Sequence, residues 1–533
     1  MRRLLLLATA ALTAAGAQAQ GRQAPNPFLA APSGAITHFD PGQSDTTPNP
    51  IARGTFRVDL NAAPHVARGP VNIVTLASTS PNFMWGISGR GVSYIDVSRG
   101  GFRKVAELAP PGRTLIPAEA NERVGAAAFT SVDQIVRMIG EAYGDATQSG
   151  GAYSFVDRDN HLFFNLPDRI VVFGLAGRDP ARGIRIVAQR DFTGLFDAGE
   201  TLRGMQLTYD GKVVLVGSRS IAIIDRSLTG PVQRVAFGRD EDITNGVAVD
   251  QQGGIYVATD KLMRKVVWTG TRLSSDEADG AWSAPYETGQ RPPTIKVSGG
   301  TGSTPTLMGF GPNADRLVVI TDGANRMHLV AFWRDAIPAD ARPQPGALSP
   351  RIAGQIAVTA GLPADTLWVQ SEQSVVVGGY GAFVVNNIGP GQSLLPPSPN
   401  ESWTGLSTRV NVMGIGPVGP APHGVERFEW DPARNRWRSV WARGDVSSPS
   451  MIPALSTASN IVMVNSWADA DGWSVTGLDW ATGRTVTRIL FGRQNVGNGA
   501  YALLQLFPNG DLLFNSLVGP RRVRLTDRER VRR

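Results

Sequence analysis

The sequence repeats one pattern along most of its length: an alternating apolar strand, a turn built from Asp, Asn or Gly, and a second strand. The clearest copy runs over 246–260, where two apolar stretches flank Asp250-Gln251-Gln252-Gly253. Turns of this composition suit tight hairpins, because Gly and Asn tolerate a positive φ at little cost. The first strand of each copy begins near residues 73, 153, 205, 247, 307, 374, 451 and 503.

Eight such units, spaced by roughly 40 to 80 residues, predict an all-β chain that folds as a single β-propeller. We expect eight blades, with seven as the alternative. The last unit, 503–525, is one strand short, and residues 55–60 have the alternation needed to close the ring and hide its sheet edges. The predicted boundaries are a signal peptide over 1–19, an extended arm over 20–52, the propeller over 53–527 and a basic tail over 528–533.

One short helix is predicted to interrupt the strands, at 131–143. Val132, Ile135, Val136 and Ile139 share one face of it, and Ser131 with Gln134 has the spacing of a capping box. The helix lies in an insertion between the first two blades. We expect it to pack on the rim, with a lid over one end of the ring as the alternative.

The first nineteen residues have the features of a secretory signal. Arg2 and Arg3 precede a short Leu- and Ala-rich run, and Ala17 with Ala19 forms the small-x-small cleavage pattern. A membrane-spanning helix needs roughly 20 apolar residues, which this run does not reach. The sequence therefore predicts export to the periplasm or the medium, with no transmembrane segment.

Composition excludes several classes of chemistry. The chain has no cysteine, so disulfides, thiol nucleophiles and Cys-based zinc sites are excluded. The net charge of +7 comes mostly from the two ends of the chain. Because the body carries no basic stripe with interleaved aromatic residues, we expect no nucleic-acid partner. A small-molecule substrate or ligand is expected, and a protein partner is possible.

Three stretches resemble repeats of known propeller families. Residues 317–332 are similar to the NHL repeat, with Asp322 and Asn325 at its turn positions. Thr244-Asn245-Gly246 resembles a blade start of the senescence-marker/gluconolactonase family, which implies that Asn245 helps to hold a divalent metal on the propeller axis. The turn at 477–484 is similar to that of pyrroloquinoline-quinone dehydrogenase blades.

Candidate site residues stand just before the inner strands, because the starts of these strands meet at one mouth of a propeller channel. Function is read from such a site rather than from the fold. The residues at these positions are mostly polar: Arg203, Asn245, Thr304, Thr306, Glu372, Gln373, Ser450 and Asn498.

Each candidate has a chemical role that fits its side chain. Asn245 and Glu372 offer hard oxygen ligands for a divalent metal, with Ca²⁺ as the expected ion. Glu372 is also the natural general base, and Arg203 could stabilise a developing oxyanion. The remaining polar residues are expected to bind the substrate: Thr304, Thr306, Gln373 and Asn498.

The five histidines argue against a four-histidine iron centre, which needs four converging imidazoles. His161 lies in a hairpin turn and His328 follows an outer turn, so both are expected to point away from the axis. The sequence also lacks a Gly-x-Ser-x-Gly elbow in a strand-to-helix setting.

The leading hypothesis is therefore an exported hydrolase that uses a metal at the channel mouth to polarise the carbonyl of a lactone or ester. The alternative is a non-catalytic propeller that binds a ligand or protein at the same mouth. A quinone-dependent dehydrogenase is the third hypothesis.

Overall fold

The computed structural model describes residues 23–30, 40–66, 68–69, 74–144, 150–292, 295–296, 298–389, 393–396 and 405–525 of the 533-residue chain. The predicted signal peptide and basic tail lie outside these residues. Across the described ranges, every helix is too short or too polar to cross a membrane.

The strands form eight sheets. Two short strands, β1 (Thr46–Thr47) and β2 (Gly54–Arg57), come first in the chain and join a later sheet. The first two sheets consist of β3 (Val74–Ala77), β4 (Phe83–Ser88), β5 (Gly91–Asp96) and β6 (Arg103–Leu108), then β7 (Phe155–Val156), β8 (Leu162–Asn165), β9 (Arg169–Leu175) and β10 (Ile184–Asp191).

The next three sheets repeat this antiparallel order. The third consists of β11 (Leu202–Leu207), β12 (Lys212–Gly217), β13 (Ser220–Asp225) and β14 (Gln233–Ala236). The fourth consists of β15 (Ala248–Val249), β16 (Gly254–Ala258), β17 (Leu262–Trp268), β18 (Leu273–Ser274) and β19 (Trp282–Pro285). The fifth consists of β20 (Thr306–Met308), β21 (Leu317–Thr321), β22 (His328–Trp333) and β23 (Ile352–Ala357).

The last three sheets complete the series. The sixth consists of β24 (Val376–Gly378), β25 (Gly381–Val385), β26 (His423–Asp431) and β27 (Arg436–Ser447). The seventh adds β1 and β2 to β28 (Ala454–Ser456), β29 (Ile461–Ala468), β30 (Gly472–Asp479) and β31 (Thr485–Gly492). The eighth consists of β32 (Leu504–Leu506), β33 (Leu512–Ser516) and β34 (Gly519–Val523).

This arrangement is the predicted all-β propeller. The innermost strands of the eight sheets begin within three residues of the predicted positions. Seven sheets have four strands or more and form full blades, which is the alternative count rather than the expected eight, and the remaining sheet has three strands. Middle strands such as β12 are apolar on both faces, with Val213, Val214, Leu215 and Val216 fully buried, because each sheet packs between two neighbours.

The strand predicted to close the ring pairs elsewhere. β2 runs parallel to β31, with Phe56 opposite Ile489, at the outer edge of the seventh sheet. The expectation that 55–60 would complete the last sheet is therefore wrong. Alternation identifies a strand, but it does not identify the strand's partner.

The eighth sheet is completed by the segment that follows β2. His65 forms an antiparallel bridge with Arg521 of β34, and the Val66 N–H donates to the Pro520 carbonyl at 3.2 Å. The chain then enters the first sheet at β3. The ring is thus closed by early residues, as expected, but about ten residues later than predicted.

Three α-helices occur in the described residues, where one was expected: α1 (Ala118–Ala126), α2 (Val132–Tyr143) and α3 (Leu406–Gly414). The predicted helix is α2, and the Ser131 hydroxyl caps it by accepting the Gln134 N–H. The Gln134 side chain accepts from the Thr130 N–H, so the reciprocal half of the capping box is displaced by one residue. α3 lies in the Pro- and Gly-rich stretch 389–422, an insertion for which no helix was predicted.

The N-terminal arm follows the inner strands around the channel. We call the mouth where inner strands begin, next to residues 203, 245, 304 and 372, the start mouth, and the mouth where they end the end mouth. Main-chain and side-chain bonds from the arm reach seven of the eight sheets, towards the end mouth. These bonds join Ala30 to Val156, Asn26 to Leu207, Pro41 to Val249, Gly42 to Leu307, Ser44 to Val377, Asp45 to Leu455 and Asn49 to Leu506.

Tryptophans join neighbouring sheets near the end mouth. Trp268 Nε1 of the fourth sheet donates to Asp210 Oδ2 of the third at 2.7 Å. Trp430 Nε1 of the sixth sheet donates to Asp315 Oδ2 of the fifth at the same distance. In both pairs a mostly buried indole meets the first turn of the preceding sheet, which fixes the spacing of the two sheets.

Ring closure also depends on one buried arginine, which yields a stability prediction. Arg522 donates to Asp511 Oδ2 at 2.7 Å in its own sheet and to the carbonyls of Val97 and Gly101 in the first sheet. Arg522→Met leaves the buried Asp511 carboxylate without this cation, so we expect a loss of about 3–5 kcal/mol in the free energy of unfolding. Denaturant titration measures the loss.

Arg524→Met is the matched control, because Arg524 is exposed and donates only to the Gly100 carbonyl among its described contacts. We expect it to unfold close to the wild-type midpoint. Equal midpoints for the two variants would contradict the closing role of Arg522.

Candidate functional site

Three sheets meet at Tyr153 in the start mouth. The Tyr153 hydroxyl lies 3.4 Å from Asn245 Oδ1 and 3.2 Å from Thr304 Oγ1. The Gly246 N–H also donates to Thr304 Oγ1, at 3.3 Å. Tyr153 belongs to the second sheet, Asn245 to the fourth and Thr304 to the fifth, so one phenol joins three strand starts across the channel.

The ring of Tyr153 accounts for two glycines. A Cβ added at Gly246 would lie 2.6 Å from Tyr153 Cε1, and one at Gly204 would lie 3.0 Å from Cδ2. The Asn245-Gly246 pair therefore does more than begin a strand, because the glycine leaves room for an aromatic ring that crosses the mouth. Asn245 lies in the mouth as predicted, and its amide oxygen faces the Tyr153 hydroxyl.

A buried ion pair lies at the same mouth. Lys296 Nζ is 3.8 Å from Glu372 Oε1, and the two side chains are 0% and 5% exposed. Lys296 Nζ also donates to the Ser371 carbonyl at 3.3 Å. Burial lowers the pKa of Lys296, while the Glu372 carboxylate opposes that shift. The predicted base thus has a cationic neighbour that the sequence did not suggest.

A second tyrosine approaches Glu372 from the eighth sheet. The Tyr501 hydroxyl accepts a bond of 2.8 Å from Asn387 Nδ2, and Asn387 Oδ1 accepts the Glu372 N–H at 2.8 Å. Burial raises the pKa of both Tyr153 and Tyr501, and the Glu372 carboxylate adds to each shift. We call this group the axial cluster: Tyr153, Asn245, Lys296, Thr304, Glu372, Asn387 and Tyr501.

Both tyrosines adopt a backbone conformation that bulky residues avoid. The φ angle is 52° at Tyr153 and 63° at Tyr501. Such a conformation costs roughly 1–3 kcal/mol, and it persists only where the surroundings enforce it. Two of these tyrosines near one carboxylate indicate that the axial cluster is held in place by the packing around it.

The other predicted site residues make their contacts within the protein itself. Arg203 Nη2 is 3.5 Å from Asp242 Oδ1 on the partly exposed rim. The Thr306 hydroxyl faces the carbonyls of Gln43 and Val375. The side-chain amides of Gln373 and Asn498 also bind main-chain carbonyls of other segments. Gln373 Nε2 donates to the Ser448 carbonyl, and Asn498 Nδ2 donates to the Val412 carbonyl.

The bond from Asn498 attaches α3 to the start mouth. Val412 of α3 packs with Ile295 and Ile388, and Tyr501 is partly buried against the same group. These residues come from the linker before the fifth sheet, from the sixth sheet and from the segment before the eighth. α3 therefore covers part of the mouth, a position the sequence had offered as an alternative for α2.

A candidate metal centre lies beside the axial cluster. Ligand atoms of Glu287, Asp322 and His328 all lie within 4.8 Å of one another. Asp322 is buried and His328 is partly buried, while the Glu287 side chain is 56% exposed. Asp322 and His328 flank the turn between β21 and β22, on the same side of the ring as the start mouth.

Hydrogen bonds fix the geometry of this triad. Asp322 Oδ1 accepts the N–H groups of Ala324 and His328, at 3.2 and 2.8 Å. Asp322 Oδ2 lies 2.6 Å from His328 Nδ1, and Glu287 Oε2 lies 3.8 Å from that nitrogen. The turn that resembles an NHL repeat is thus organised by Asp322, whose second oxygen faces the imidazole.

Charge links the triad to the axial cluster. The hydrogen bond to Asp322 raises the pKa of His328, and the charges of Asp322 and Glu287 add to this shift. Burial lowers the pKa of Lys296, and the Asp322 carboxylate opposes that shift together with Glu372. Lys296 is therefore the cation shared by both groups.

The triad was missed because its members are far apart in sequence. The prediction placed His328 away from the axis, which agrees with its position on a turn, but that turn faces a linker that carries Glu287. An Asp and a His six residues apart across a turn were the only local signal. Two carboxylates and an imidazole can bind a divalent ion such as Zn²⁺ or Mn²⁺.

No family model matches the chain. It is 35% identical over 386 residues to an uncharacterized protein of Archaeoglobus fulgidus, and the match covers 70% of each chain. Solved structures with a similar shape include a europium-containing methanol dehydrogenase, with a TM-score of 0.49, 10% identity and coverage of 92% of this chain and 91% of that chain. They also include a putative 6-phosphogluconolactonase of Bacteroides fragilis, with a TM-score of 0.39, 11% identity and coverage of 79% and 95%.

The buried ion pair yields a second prediction. Lys296→Met removes the ammonium that faces Glu372 in an apolar setting, so we expect the free energy of unfolding to fall by about 3–5 kcal/mol. The double variant Lys296→Met/Glu372→Gln should recover most of this loss. Thermal and denaturant unfolding of the wild type, the single variants and the double variant measure the coupling between the two side chains. Lys261→Met is the control, because Lys261 pairs with Asp240 on the surface. A double variant no more stable than Lys296→Met would contradict the pairing.

The triad yields a third prediction, on pH dependence in the absence of metal. Because Asp322 raises the pKa of His328, the folded protein keeps this proton to a higher pH than the unfolded chain. The contact therefore stabilises the fold fully below the unfolded pKa of about 6.5, and its contribution is lost as the pH rises through the folded pKa. His328→Gln should lower the Tm more at about pH 5.5 than at about pH 8.5, measured with a chelator present. An equal loss at both pH values would contradict it.

Proposed function

The chain belongs to the same family as the uncharacterized protein of Archaeoglobus fulgidus, and from its own geometry we propose that it is a metal-dependent hydrolase of esters or lactones. The observation that carries the proposal is the triad of Glu287, Asp322 and His328 at the start mouth. A divalent ion there would polarise a substrate carbonyl and lower the pKa of a bound water.

The triad changes the proposed ion and its position. Asn245 and Glu372 were predicted to hold Ca²⁺, which prefers oxygen ligands alone. A site with an imidazole suits Zn²⁺ or Mn²⁺ better. Three protein ligands with an exposed Glu287 would also leave a coordination position open to water or substrate, as catalytic sites require.

Other residues of the start mouth would then act on the bound substrate. Glu372 keeps its proposed role as general base, with the Lys296 ammonium 3.8 Å from its carboxylate. Arg203, partly exposed on the rim, keeps its proposed role of stabilising an oxyanion. Export to the periplasm or medium, which rests on residues 1–19, is part of the same proposal.

A second candidate is a propeller that binds a ligand or protein without catalysis. The observation in its favour is the burial of Lys296 and Glu372, at 0% and 5% exposure under the cover of α3. A buried pair of this kind can serve the architecture of the mouth alone, and a substrate would have to displace the cover to reach it.

Metal binding and activity together test the proposal, which is our fourth prediction. We expect the chelator-treated protein to bind one Zn²⁺ or Mn²⁺ per chain by calorimetry, with affinity falling at low pH because His328 must lose its proton. Glu287→Gln and His328→Ala should abolish tight binding. Hydrolysis of nitrophenyl esters and aliphatic lactones should require the ion and should be lost in both variants.

His161→Ala is the matched control. His161 also lies near an aspartate, with Nδ1 3.7 Å from Asp157 Oδ2, and that contact likewise raises its pKa. We expect metal binding and hydrolysis to be unchanged in this variant. A protein that binds no metal, or whose activity survives Glu287→Gln, would overturn the hydrolase. Metal binding without any hydrolysis would leave the non-catalytic candidate in its place.

A further inference from the structure

A cavity of about 550 Å³ lies between the sixth and seventh sheets, away from the axial cluster. One wall is the end of β27, at residues 443–447, and the opposite wall is the face of β29, β30 and β31. β2 extends the seventh sheet outward, so residues 53–55 continue that wall beyond the edge of its neighbour. The cavity therefore depends on the strand that the seventh sheet gains from the N-terminal segment.

The face of the seventh sheet changes from apolar to polar where the cavity begins. Along β29, Val462 and Val464 are buried in the contact with the sixth sheet, and Ser466 follows in the same alternation. Ser466 stands directly opposite Ser474 of β30. Hydroxyls thus replace the packing side chains over the part of the face that lines the cavity.

The polar stripe continues across the sheet. Thr476 alternates with Ser474 along β30, and it lies directly opposite Arg488 of β31. All three line the cavity. Two hydroxyl residues and a guanidinium therefore share one face. They stand on neighbouring strands, which lie about 4.8 Å apart, and this spacing suits a ligand with several polar groups.

One of these hydroxyls has an unmet hydrogen bond. Ser466 is 7% exposed, and its Oγ has no hydrogen-bond partner among the described residues. A buried hydroxyl without a partner is destabilising. A ligand group that bonds to Ser466 would remove this cost, which favours an occupant with hydroxyl or oxyanion groups over an apolar one.

Cations dominate the charged groups of the lining. Arg53, Arg443 and Arg488 face the cavity with a single carboxylate, Asp445. Arg443 is fixed by two bonds of 2.6 Å to Asp445 and by a bond to the Gly483 carbonyl.

The other two arginines are oriented from outside the lining. Arg488 Nη2 binds Asp471 at 2.6 Å, and Arg53 Nη2 binds Asp479 at 3.1 Å. A guanidinium has five N–H donors, so each of these contacts leaves donors for an anion.

We propose that this cavity binds a polyhydroxylated anion of the sugar-acid type. Its carboxylate would pair with Arg488, and its hydroxyls would bind the Ser466, Ser474 and Thr476 side chains. An uncharged sugar lacks the carboxylate that would pair with Arg488. Inorganic phosphate lacks the several hydroxyl groups that would bind the Ser and Thr side chains. The proposal stands independently of the hydrolase, because the residues of the two sites do not overlap.

Calorimetry with gluconate, glucose and inorganic phosphate tests the site on the purified chain. We expect saturable binding of gluconate, with glucose and phosphate at least about tenfold weaker. Arg488→Gln should weaken gluconate binding by about tenfold or more. Ser466→Val should weaken it as well without lowering the Tm, because valine continues the apolar stripe of Val462 and Val464.

Arg434→Gln is the control, since Arg434 is an exposed arginine of the sixth sheet that pairs with Asp431 outside the cavity. It should bind gluconate like the wild type. The proposal is overturned if gluconate does not bind saturably, if glucose or phosphate binds equally well, or if Arg488→Gln leaves the affinity unchanged.

Discussion

This fold depends on finding hydrogen-bond partners for the main chain of the innermost strands. A ring of sheets buries both faces of every sheet, but the channel side of each inner strand still carries N–H and C=O groups that need partners. The arm supplies these partners for seven sheets, through residues such as Gly42, Ser44 and Asp45. The ring and its N-terminal segment therefore form one hydrogen-bonded unit, in which neither part is complete without the other.

The segments that cover the two ends of the channel lower the polarity around the charged groups inside it. The arm lies towards the end mouth, and α3 covers part of the start mouth, so Lys296 and Glu372 face each other in a medium of low polarity. In such a medium a charge is stable only beside its counterion. Burial raises the pKa of both Tyr153 and Tyr501, and the Glu372 carboxylate adds to each shift. The exposed Glu287 lies outside this shielded region, so the triad has one side that is open to solvent.

The sequence predicted local features well and long-range pairing poorly. The inner strand starts were found because alternation and Gly or Asn turns are local signals, and Asn245 was placed in the mouth by the same reasoning. Lys296, Tyr153 and Tyr501 carry no such signal, since each stands alone in a linker or before a short strand. Glu287 and His328 meet only because the linker before the fifth sheet passes over the turn of that sheet. The partner of β2 was mistaken because the apolar pattern of 55–60 fits the edge of the seventh sheet as well as that of the eighth.

The path of the arm imposes an order on biosynthesis. Residues 23–50 are synthesised early, yet their contacts reach as far as Leu506, and the bond from Asn49 spans 457 residues. The segment around His65 must likewise wait for β34. The last hydrogen-bond partners of the arm are therefore absent until almost all residues have been synthesised. The N-terminal segment can pair with the last strands only at the end of folding. We expect this step to be slow, because contacts so distant in sequence close a very long loop.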